Sequence, residues 1–443
     1  MTLALVSRRS ALLPGRWVSN ELWRRARAVP SLDLRFAENK SLVDAITGAN
    51  LVTFTRASAG TYVDSQGVVR TATTDAPRFD HNPTTGESLG LLVEEQRVNL
   101  ALQSEDFSTT WVTSQLTVTT NAIASPAGAI TADALYETAV NNEHRIRQFF
   151  TGLTANINYT TSVYIKDLGG RNLGIRVLDT DNVANGYLAV FSPVSGTVVV
   201  AATSLGSGVA ASASITPLAG GWYRVVLTGN AGATCTKYIL DFFSYSGTSS
   251  SFAGDVTKGL YLWGAQLEAG SFPTSYIPTT TSAVTRAADV ASISGSNFSG
   301  WYRQDEGTVF AEGSSFSATS GSRVLAAIDD LSMSNRFQIT LGGGYTPNFA
   351  AVSAGAVSAD LYAAALTQGV NTRLCSTYRV NDFALSSNGG NPVTDTSGAL
   401  PVSVSTARLG VFQNNASYLN GTIRRITYFP QRLPNNVLQA LTQ

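Results

Sequence analysis

Most of the chain alternates apolar and polar residues with a period of two, and this pattern restricts the fold more than any other feature of the sequence. It is clear in "GTVFAEGSSFSA" (307–318) and in "ASYLNGTIRRITYF" (416–429), where Val, Thr and Tyr are frequent. Successive side chains of a strand point to opposite faces, so this period predicts strands with one buried face. Turn signals between the strands, such as "DTDN" (179–182) and "NG" (420–421), are typical of antiparallel sandwiches.

Helix signals are confined to two short segments. In "SNELWRRARAV" (19–29), Ser19 or Asn20 is placed to cap a helix, and in "PNNVLQALTQ" (434–443) Asn435 is placed to do the same. We therefore predict an all-β protein.

A chain of 443 residues is long enough for two or three domains that each bury a core. We predict two antiparallel β-sandwich domains, preceded by a small β region and a basic N-terminal arm. A link rich in Thr, Ser and Ala, residues 279–288, separates the sandwiches. The predicted segments are the arm (1–36), the small strand-and-turn region (37–103), the first sandwich (104–280) and the second sandwich with its short C-terminal helix (289–443).

Charge is sparse and balanced. Charged residues make up 14% of the chain, with 30 basic and 30 acidic side chains. A net charge of zero provides no overall field toward nucleic acid or an anionic membrane, so neither is expected as a partner. No stretch approaches 18 consecutive apolar residues, and the first arginines follow the first apolar run, which is the reverse of an export signal. We expect a protein made in the cytoplasm, without membrane insertion.

The first 30 residues differ from the rest in charge. They hold six arginines and a single acid, Glu21. A segment too short for its own core has to bury its aromatic residues on something else, and Trp and Arg are frequent anchors of protein interfaces. This pattern predicts that the arm docks on a protein partner. The predicted docking residues are Trp17, Trp23, Arg24, Arg25 and Arg27.

Motifs for catalysis are weak. The stretch "GESLG" (86–90) fits the G-x-S-x-G pattern of a serine nucleophile, but "PRFDHNPTT" before it is rich in turn residues instead of forming an apolar strand. We interpret it as a turn between strands, with Ser88 unreactive. Adjacent acids, Glu94–Glu95 and Asp329–Asp330, would point to opposite faces of a strand and could not flank one glycosidic bond. No catalytic residue and no enzyme activity are expected, although carboxylates from distant strands could still meet.

Metal and thiol chemistry have one candidate each. The loop "DTDNVANG" (179–186) concentrates oxygen ligands but lacks the spacing of an EF-hand, so a hairpin turn is the preferred interpretation. No cofactor is expected, and a structural calcium ion in this loop stays open. Cys235 and Cys375 lie in predicted strands and are interpreted as buried free thiols, with a single long-range disulfide as the alternative.

Tryptophans near predicted strand ends suggest a binding surface. Sugars present apolar C–H faces that stack on aromatic rings, while their hydroxyls bond to polar side chains. Trp111, Trp222 and Trp301 are the candidate glycan contacts, and Trp263 lies in a similar context. The alternative is that each ring belongs to a core, because each alternates with apolar neighbours.

Three long passages together resemble virion structural proteins of tailed bacteriophages, of the head-spike-fibre and tail-fibre kind. They are "LDLRFAENKSLVD" with "VTFTRASAGTYVDSQGVVRTATTDAPRFDHNPTTGESLGLLVEEQRVNLALQSEDFSTTW", "GLYLWGAQLEAGSFPTSYIPTTTSAVTRAADV" and "LNGTIRRITYFPQRLPNNVLQALT". The resemblance covers about residues 32–443. It implies a carbohydrate-binding-like jelly roll followed by a concanavalin A or laminin-G-like sandwich, and no catalytic residues.

The resemblance also implies a place and partners. We expect a virion protein that docks through its N-terminal arm to other virion proteins, exposes sandwiches able to bind host-surface glycans, and self-associates, with a trimer as the default. A capsid decoration or cement protein with a purely stabilising role is the first alternative. A polysaccharide-degrading enzyme is the second.

Overall fold

The structure is a computed structural model that describes residues 21–317 and 321–443. The chain forms two compact units. The terminal unit comprises the described residues of Met1–Thr55, together with Leu89–Glu95 and Asp289–Gln443. The central unit comprises Arg56–Ser88 and Gln96–Ala288. Both units are built from antiparallel sheets, which confirms the predicted all-β class.

Two sheets form the terminal unit. Sheet A contains, in spatial order, Val393–Asp395, Asp382–Ser387, Thr372–Arg379, Glu306–Ser315, Gly421–Phe429 and Ser88–Val93, and Leu32–Leu34 also pairs with Gly421–Phe429. Sheet B contains, in spatial order, Thr53–Thr55, Val290–Ser294, Thr406–Leu409, Arg323–Asp329, Arg336–Leu341, Pro347–Ser353 and Ala356–Tyr362.

The two sheets of the terminal unit face each other across an apolar core. Phe337 of sheet B stacks on Tyr378 of sheet A, with 4.1 Å between the ring centroids. Val309 and Ile426 of sheet A line the same interior space as Ile328 of sheet B. Residues from both sheets therefore share one core, as expected of a sandwich.

The C-terminal strand of the terminal unit, Gly421–Phe429, is completed by segments from far upstream. One edge pairs with Glu306–Ser315. The other edge pairs with two segments in turn: Gly421–Ile423 with Leu91–Val93, and Ile426–Tyr428 with Leu32–Leu34. The second sandwich is thus not a self-contained 289–443 domain, because its central strand would lose all pairing on one edge without the N-terminal residues.

A buried carboxylate fixes the N-terminal segment in place. Asp33 is fully buried. Its oxygens accept hydrogen bonds from Trp23 Nε1 (3.0 Å) and Arg35 Nε (2.8 Å) on the N-terminal side. They also accept from Arg425 Nε (2.8 Å), Arg425 Nη2 (2.7 Å) and Thr427 Oγ1 (2.8 Å) on the C-terminal strand. A buried charge needs such a full set of donors to be tolerated.

Short helices cover part of sheet A. The face that carries Phe310, Cys375 and Phe429 packs against Leu438 and Leu441 of the C-terminal helix, in a cluster that also includes Ala26 and Ala28. Among the described residues, no helix combines the length and apolar character needed to cross a membrane. The α-helices of the described part are Glu21–Ala26, Phe36–Asn39, Ser296–Ser299 and Asn435–Thr442.

Helix ends differ from the sequence prediction in detail. The C-terminal helix has Pro434 at its N-cap position, and no side chain caps it. Asn435, predicted to be the cap, lies inside the helix. The segment predicted as helical over 19–29 is helical at Glu21–Ala26.

Two six-stranded sheets form the central unit. Sheet C contains, in spatial order, Val209–Pro217, Tyr223–Asn230, Tyr159–Leu168, Gly259–Ala269, Ile130–Glu137 and Leu116–Ala124. Sheet D contains, in spatial order, Thr197–Leu205, Gly186–Ser192, Asn172–Asp179, Tyr238–Tyr245, Arg145–Phe150 and Val112–Ser114. One core cluster joins residues of both sheets, such as Val163 and Leu262 of sheet C with Ile175 and Leu240 of sheet D.

Short ladders accompany this sandwich. The strands outside sheets C and D are Gly60–Val63 with Val69–Ala72, Arg97–Asn99 with Val284–Arg286, Asn141–Glu143 with Ser251–Ala253, and Phe79–His81. The strands of sheets C and D lie within the predicted first sandwich (104–280), but the central unit also includes Arg56–Ser88 and extends over Gln96–Ala288. The predicted small region (37–103) is divided between the two units. The predicted arm (1–36) is also revised, since its residues from 21 onward belong to the terminal unit.

Replacing Asp33 tests the closure of the terminal unit. Asp33→Ala leaves the donors of Trp23, Arg35 and Arg425 facing a void, so we expect the free energy of unfolding to fall by about 3–5 kcal/mol. The control is Asp305→Ala, which removes an exposed partner of Arg303 and should leave the unfolding midpoint unchanged. Both are measured by denaturant unfolding of the full chain. Equal midpoints for the two variants would contradict the role given to Asp33.

Candidate functional site

The outer face of sheet D carries an organised group of charged side chains. Along its strands, side chains alternate between the core and this face; for example, Ile146 and Phe150 point into the core. We call the outward group the Arg–Asp face. It consists of Arg145, Arg147, Phe149, Arg176, Asp241 and Phe243, together with Glu143 on the adjoining short strand.

Strand register brings the central three residues side by side. Arg147 lies opposite Asp241, and Asp241 lies opposite Arg176 on the next strand. Directly opposed residues on one face have Cβ atoms about 4.5–5.5 Å apart, so their side chains meet. One carboxylate is therefore flanked by two guanidinium groups through backbone pairing alone.

Asp241 binds both arginines through a network of hydrogen bonds. Arg147 donates from Nε to Oδ1 (2.8 Å) and from Nη2 to Oδ2 (3.1 Å). Arg176 donates from Nε (3.1 Å) and from Nη2 (2.7 Å) to Oδ2. The Asp241 carboxylate is fully buried beneath the two side chains. Such fork-to-carboxylate pairing holds the guanidinium planes in one orientation.

Glu143 extends the network toward the edge of the sheet. It accepts from Arg176 Nη1 (2.9 Å) and Arg176 Nη2 (3.0 Å), and it also accepts from Arg145. Three arginines thus share two carboxylates, and the group has a net charge of +1. The surplus charge gives the face an attraction for anions.

The network shifts the protonation of Glu143 and Arg176. Burial acts to raise the pKa of Glu143, but the hydrogen bonds and charges of Arg176 and Arg145 outweigh it, and this pKa lies below its ordinary value. Burial acts to lower the pKa of Arg176, but Glu143 and Asp241 outweigh it in turn, and its pKa is raised. Both shifts favour the ionised forms, so Glu143 and Arg176 stay charged at neutral pH.

Two aromatic rings flank the charges. Phe149 is 52% exposed, and the Arg147 guanidinium carbon lies 5.9 Å from its ring centroid. Phe243 is buried, with the Arg176 guanidinium carbon 5.0 Å from its ring. Gly174 makes room for that ring, since a Cβ there would come within 2.1 Å of Phe243. The face thus combines fixed hydrogen-bond donors with one exposed apolar ring.

The tryptophans predicted to contact glycans are placed elsewhere. Trp111, Trp222 and Trp301 are 4%, 3% and 6% exposed, so none presents a ring face to a ligand. Trp111 stacks on Phe242 in the central core, with centroids 5.3 Å apart. Their expected role is corrected to that of core residues, because each ring is buried against other aromatic side chains.

These tryptophans and Trp263 instead fill three clusters. Trp222 and Trp263 share one cluster in the central unit with Tyr164 and Tyr276. Trp301 packs edge-on against Tyr428 in the terminal unit, at 5.0 Å. An exposed ring beside the charged side chains of sheet D is that of Phe149, which is not among the predicted site residues. Its only sequence signal is its position in "RIRQFF", where it alternates with Arg147 and Arg145.

The residues predicted to dock on a partner separate into three groups. Trp17 lies outside the described residues. Trp23 is 2% exposed and is bonded to Asp33, so its predicted role as an interface anchor is corrected to an internal one. Arg24, Arg25 and Arg27 are exposed. Arg25 donates to the backbone oxygens of Ala440 (3.2 Å) and Gln443 (3.3 Å) within the terminal unit.

The "GESLG" stretch follows a turn between two strands, as predicted: Gly86 and Glu87 close the turn, and Ser88 begins the strand Ser88–Val93. Gly86 N–H donates to Asn82 O, and Asn82 N–H donates to Glu87 O. The Ser88 hydroxyl and His81 Nε2 are buried, and neither has a hydrogen-bond partner. Without an imidazole bonded to the hydroxyl, the serine lacks the base that a nucleophile requires.

The predicted acid pairs each have structural partners. Asp329 accepts from Arg408 Nε (2.8 Å), and its neighbour Asp330 accepts from Ser332 and Asn335 within a turn. Glu95 accepts from Asn420 Nδ2 (2.9 Å). Each carboxylate is thus engaged in a local contact of the terminal unit.

In the calcium candidate loop, Asp181 pairs with Lys237 at 3.1 Å. Within residues 21–317 and 321–443, no group of three or more His, Cys, Asp or Glu side chains is arranged to hold a metal ion. Cys235 and Cys375 are buried free thiols, as predicted. Burial raises the pKa of the Cys235 thiol to about 11, which keeps it protonated and unreactive.

Comparisons with known proteins provide little beyond these observations. No family model matches the sequence, and no curated protein matches it. One similar solved structure is the CBM40 module of the Ruminococcus gnavus IT-sialidase bound to alpha2,6 sialyllactose, with 17% identity and a TM-score of 0.29 over 32% of this chain and 85% of that chain.

Two further solved structures are similar at the same level. Domain 4 of AbnA, a GH43 extracellular arabinanase from Geobacillus stearothermophilus in complex with arabinotriose, has 12% identity and a TM-score of 0.28 over 39% of this chain and 82% of that chain. Trypanosoma rangeli sialidase in complex with sialic acid has 10% identity and a TM-score of 0.27 over 70% of this chain and 60% of that chain. At these scores the likenesses support no conclusion on ligand or activity, and the site rests on its own geometry.

The lowered pKa of Glu143 predicts how stability depends on pH. A carboxylate with a lowered folded-state pKa stabilises the fold above its ordinary pKa of 4.5, and this contribution is lost as pH falls through the folded-state value. We expect wild type to be more stable than Glu143→Gln by a constant margin near neutral pH, and this margin to shrink below pH 4.5. Thermal unfolding of both proteins across pH measures it. A margin that grows on acidification would contradict the proposed network.

Proposed function

We propose that the protein is a non-enzymatic, glycan-binding component of a bacteriophage virion, and that the Arg–Asp face is its binding surface. The observation that carries the proposal is the exposed Phe149 ring beside an ordered pair of guanidinium groups. A sugar stacks its C–H face on such a ring while its hydroxyls or carboxylate accept hydrogen bonds from oriented donors. The side chains are held in place before any ligand arrives, which lowers the entropic cost of binding.

The charge of the face indicates the class of glycan. With three arginines and two carboxylates, the face attracts acidic sugars more than neutral ones, because a sugar carboxylate matches the planar donor pattern of arginine. Affinity should therefore fall as salt is added, since ions screen exposed charges over about 10 Å at 0.1 M. A face that binds neutral and acidic oligosaccharides equally would argue against this part of the proposal.

Replacing Phe149 tests the surface directly. Phe149→Ala removes a ring that is half exposed, so we expect an intact fold and an affinity for acidic oligosaccharides reduced about tenfold, which corresponds to about 1.4 kcal/mol. The matched control is Ile130→Ala, which truncates a 66% exposed apolar residue on sheet C. Binding is measured by titration calorimetry after an oligosaccharide array has identified a ligand.

Arg147→Lys provides a second variant. Lysine keeps the positive charge but cannot make the two parallel hydrogen bonds that Arg147 donates to Asp241. The side chain would lose its fixed orientation, so we expect the affinity for acidic oligosaccharides to fall in this variant as well. If the array shows no glycan bound by the wild-type protein, or if Phe149→Ala and Ile130→Ala bind alike, the Arg–Asp face is not a glycan site.

The virion role is supported by the resemblance of residues 32–443 to phage spike and fibre proteins. Docking to other virion proteins is assigned to the first 20 residues, which hold Arg8, Arg9, Arg16 and Trp17. Trp23 is not assigned to docking because its ring is buried in the terminal unit. Arg24, Arg25 and Arg27 are exposed and stay predicted docking residues. In this proposal the glycan-binding sandwich faces the host, and the protein has no catalytic part.

Deleting the first 20 residues tests the docking role. The truncated protein retains Trp23 and Asp33, so we expect it to fold with an unchanged melting temperature but to be absent from purified phage particles. Mass spectrometry of particles grown with each version provides the measurement. Wild-type protein missing from the particles would refute the virion role, and truncated protein present at wild-type copy number would refute the docking role alone.

A further inference from the structure

Two consecutive strands of the central unit end both of its sheets on the same side. Thr197–Leu205 is the end strand of sheet D, and Val209–Pro217 is the end strand of sheet C. A tight turn joins them, in which Gly208 N–H donates to Leu205 O. We call the two strands together the neutral edge. Each has nine residues and pairs with a single neighbour within its sheet.

The neutral edge has no charge. No Asp, Glu, Lys or Arg lies between Asp181 and Arg224. The exposed side chains of the two strands are small or β-branched, and Val199 and Val209 are 44% and 58% exposed. A solvent-facing strand of this composition lacks the lysines or other charges with which proteins usually keep edge strands from pairing.

Most other end strands of the described sheets are short or carry a charge. Val112–Ser114, at the other end of sheet D, has three residues, as does Thr53–Thr55 at one end of sheet B. Ala356–Tyr362 contains Asp360, and Val393–Asp395 is short and ends in an acid. Leu116–Ala124 is long and uncharged, but its neighbour in chain order is the three-residue strand, so that side exposes only one long edge.

We infer that the neutral edge is an interface between copies of this chain. An edge strand offers unpaired backbone donors and acceptors in alternation, and the same strand of another copy offers the matching set. A charged partner would lose the hydration of its charges at this surface without gaining an opposite charge, whereas a second neutral edge buries no charge. The β-branched residues of both copies would then pack across the new strand pair.

Two lysine substitutions test this inference. We expect the full-length wild-type chain to sediment as a multimer in analytical ultracentrifugation, and the double variant Val199→Lys/Val209→Lys to sediment as a monomer with an unchanged circular dichroism spectrum. Val357→Lys is the matched control, since it places the same charge on a 64% exposed valine of an edge strand in the terminal unit. The control should keep the wild-type mass.

Cross-linking provides an answer even if the lysine variant fails to fold. Ala201→Cys, at an exposed position in the middle of Thr197–Leu205, should form a disulfide between copies on mild oxidation, whereas Val357→Cys should not. A wild-type monomer at every concentration, or a double variant that keeps the wild-type mass, would overturn the inference. Because no glycan enters these measurements, their outcome is independent of the proposed binding function.

Discussion

The terminal unit depends on the buried carboxylate of Asp33, which joins the two ends of the chain. Its oxygens accept from Trp23 and Arg35 on one side and from Arg425 and Thr427 on the other. A buried charge without these donors would cost several kcal/mol, so the N-terminal segment and the last strand are held in one register. The last strand, Gly421–Phe429, also pairs with Leu91–Val93. Through this pairing, a segment that lies between two parts of the central unit in the sequence belongs to the terminal sandwich. The C-terminal sandwich is thus built from sequence that precedes the central unit as well as from sequence that follows it.

The central unit uses a similar arrangement at its surface. Asp241 is as buried as Asp33, but the arginines that cover it belong to an outer face, so their guanidinium groups border solvent. Backbone register aligns the three side chains, and Glu143 fixes the orientation of Arg176. An arrangement that satisfies a buried charge thereby also presents oriented donors to the outside. This dual use is the physical basis for regarding the face as a ligand surface.

Several of the failed predictions concern where aromatic rings lie. Trp111, Trp222 and Trp301 lie near strand ends, yet all three are core residues, whereas Phe149, on the charged outer face of sheet D, has an exposed ring. Strand alternation predicts which residues share a face, but it does not tell which of the two faces is covered by another layer. The prediction for Trp23 failed for a related reason. A basic segment with aromatic residues has the composition of an interface arm, and only the structure shows that Trp23 bonds to the buried Asp33 ten residues onward.

The sequence by itself determined the all-β class, the turn that precedes Ser88 and the buried state of Cys235 and Cys375. Each of these depends on local chemistry: the period of two, turn residues, and the tendency of small strand residues to be buried. Only the tertiary structure decided that residues 21–55 complete the second sandwich and that Arg147, Arg176 and Asp241 meet. These features depend on pairings between strands that lie tens to hundreds of residues apart, and neither composition nor periodicity specifies which strands become neighbours.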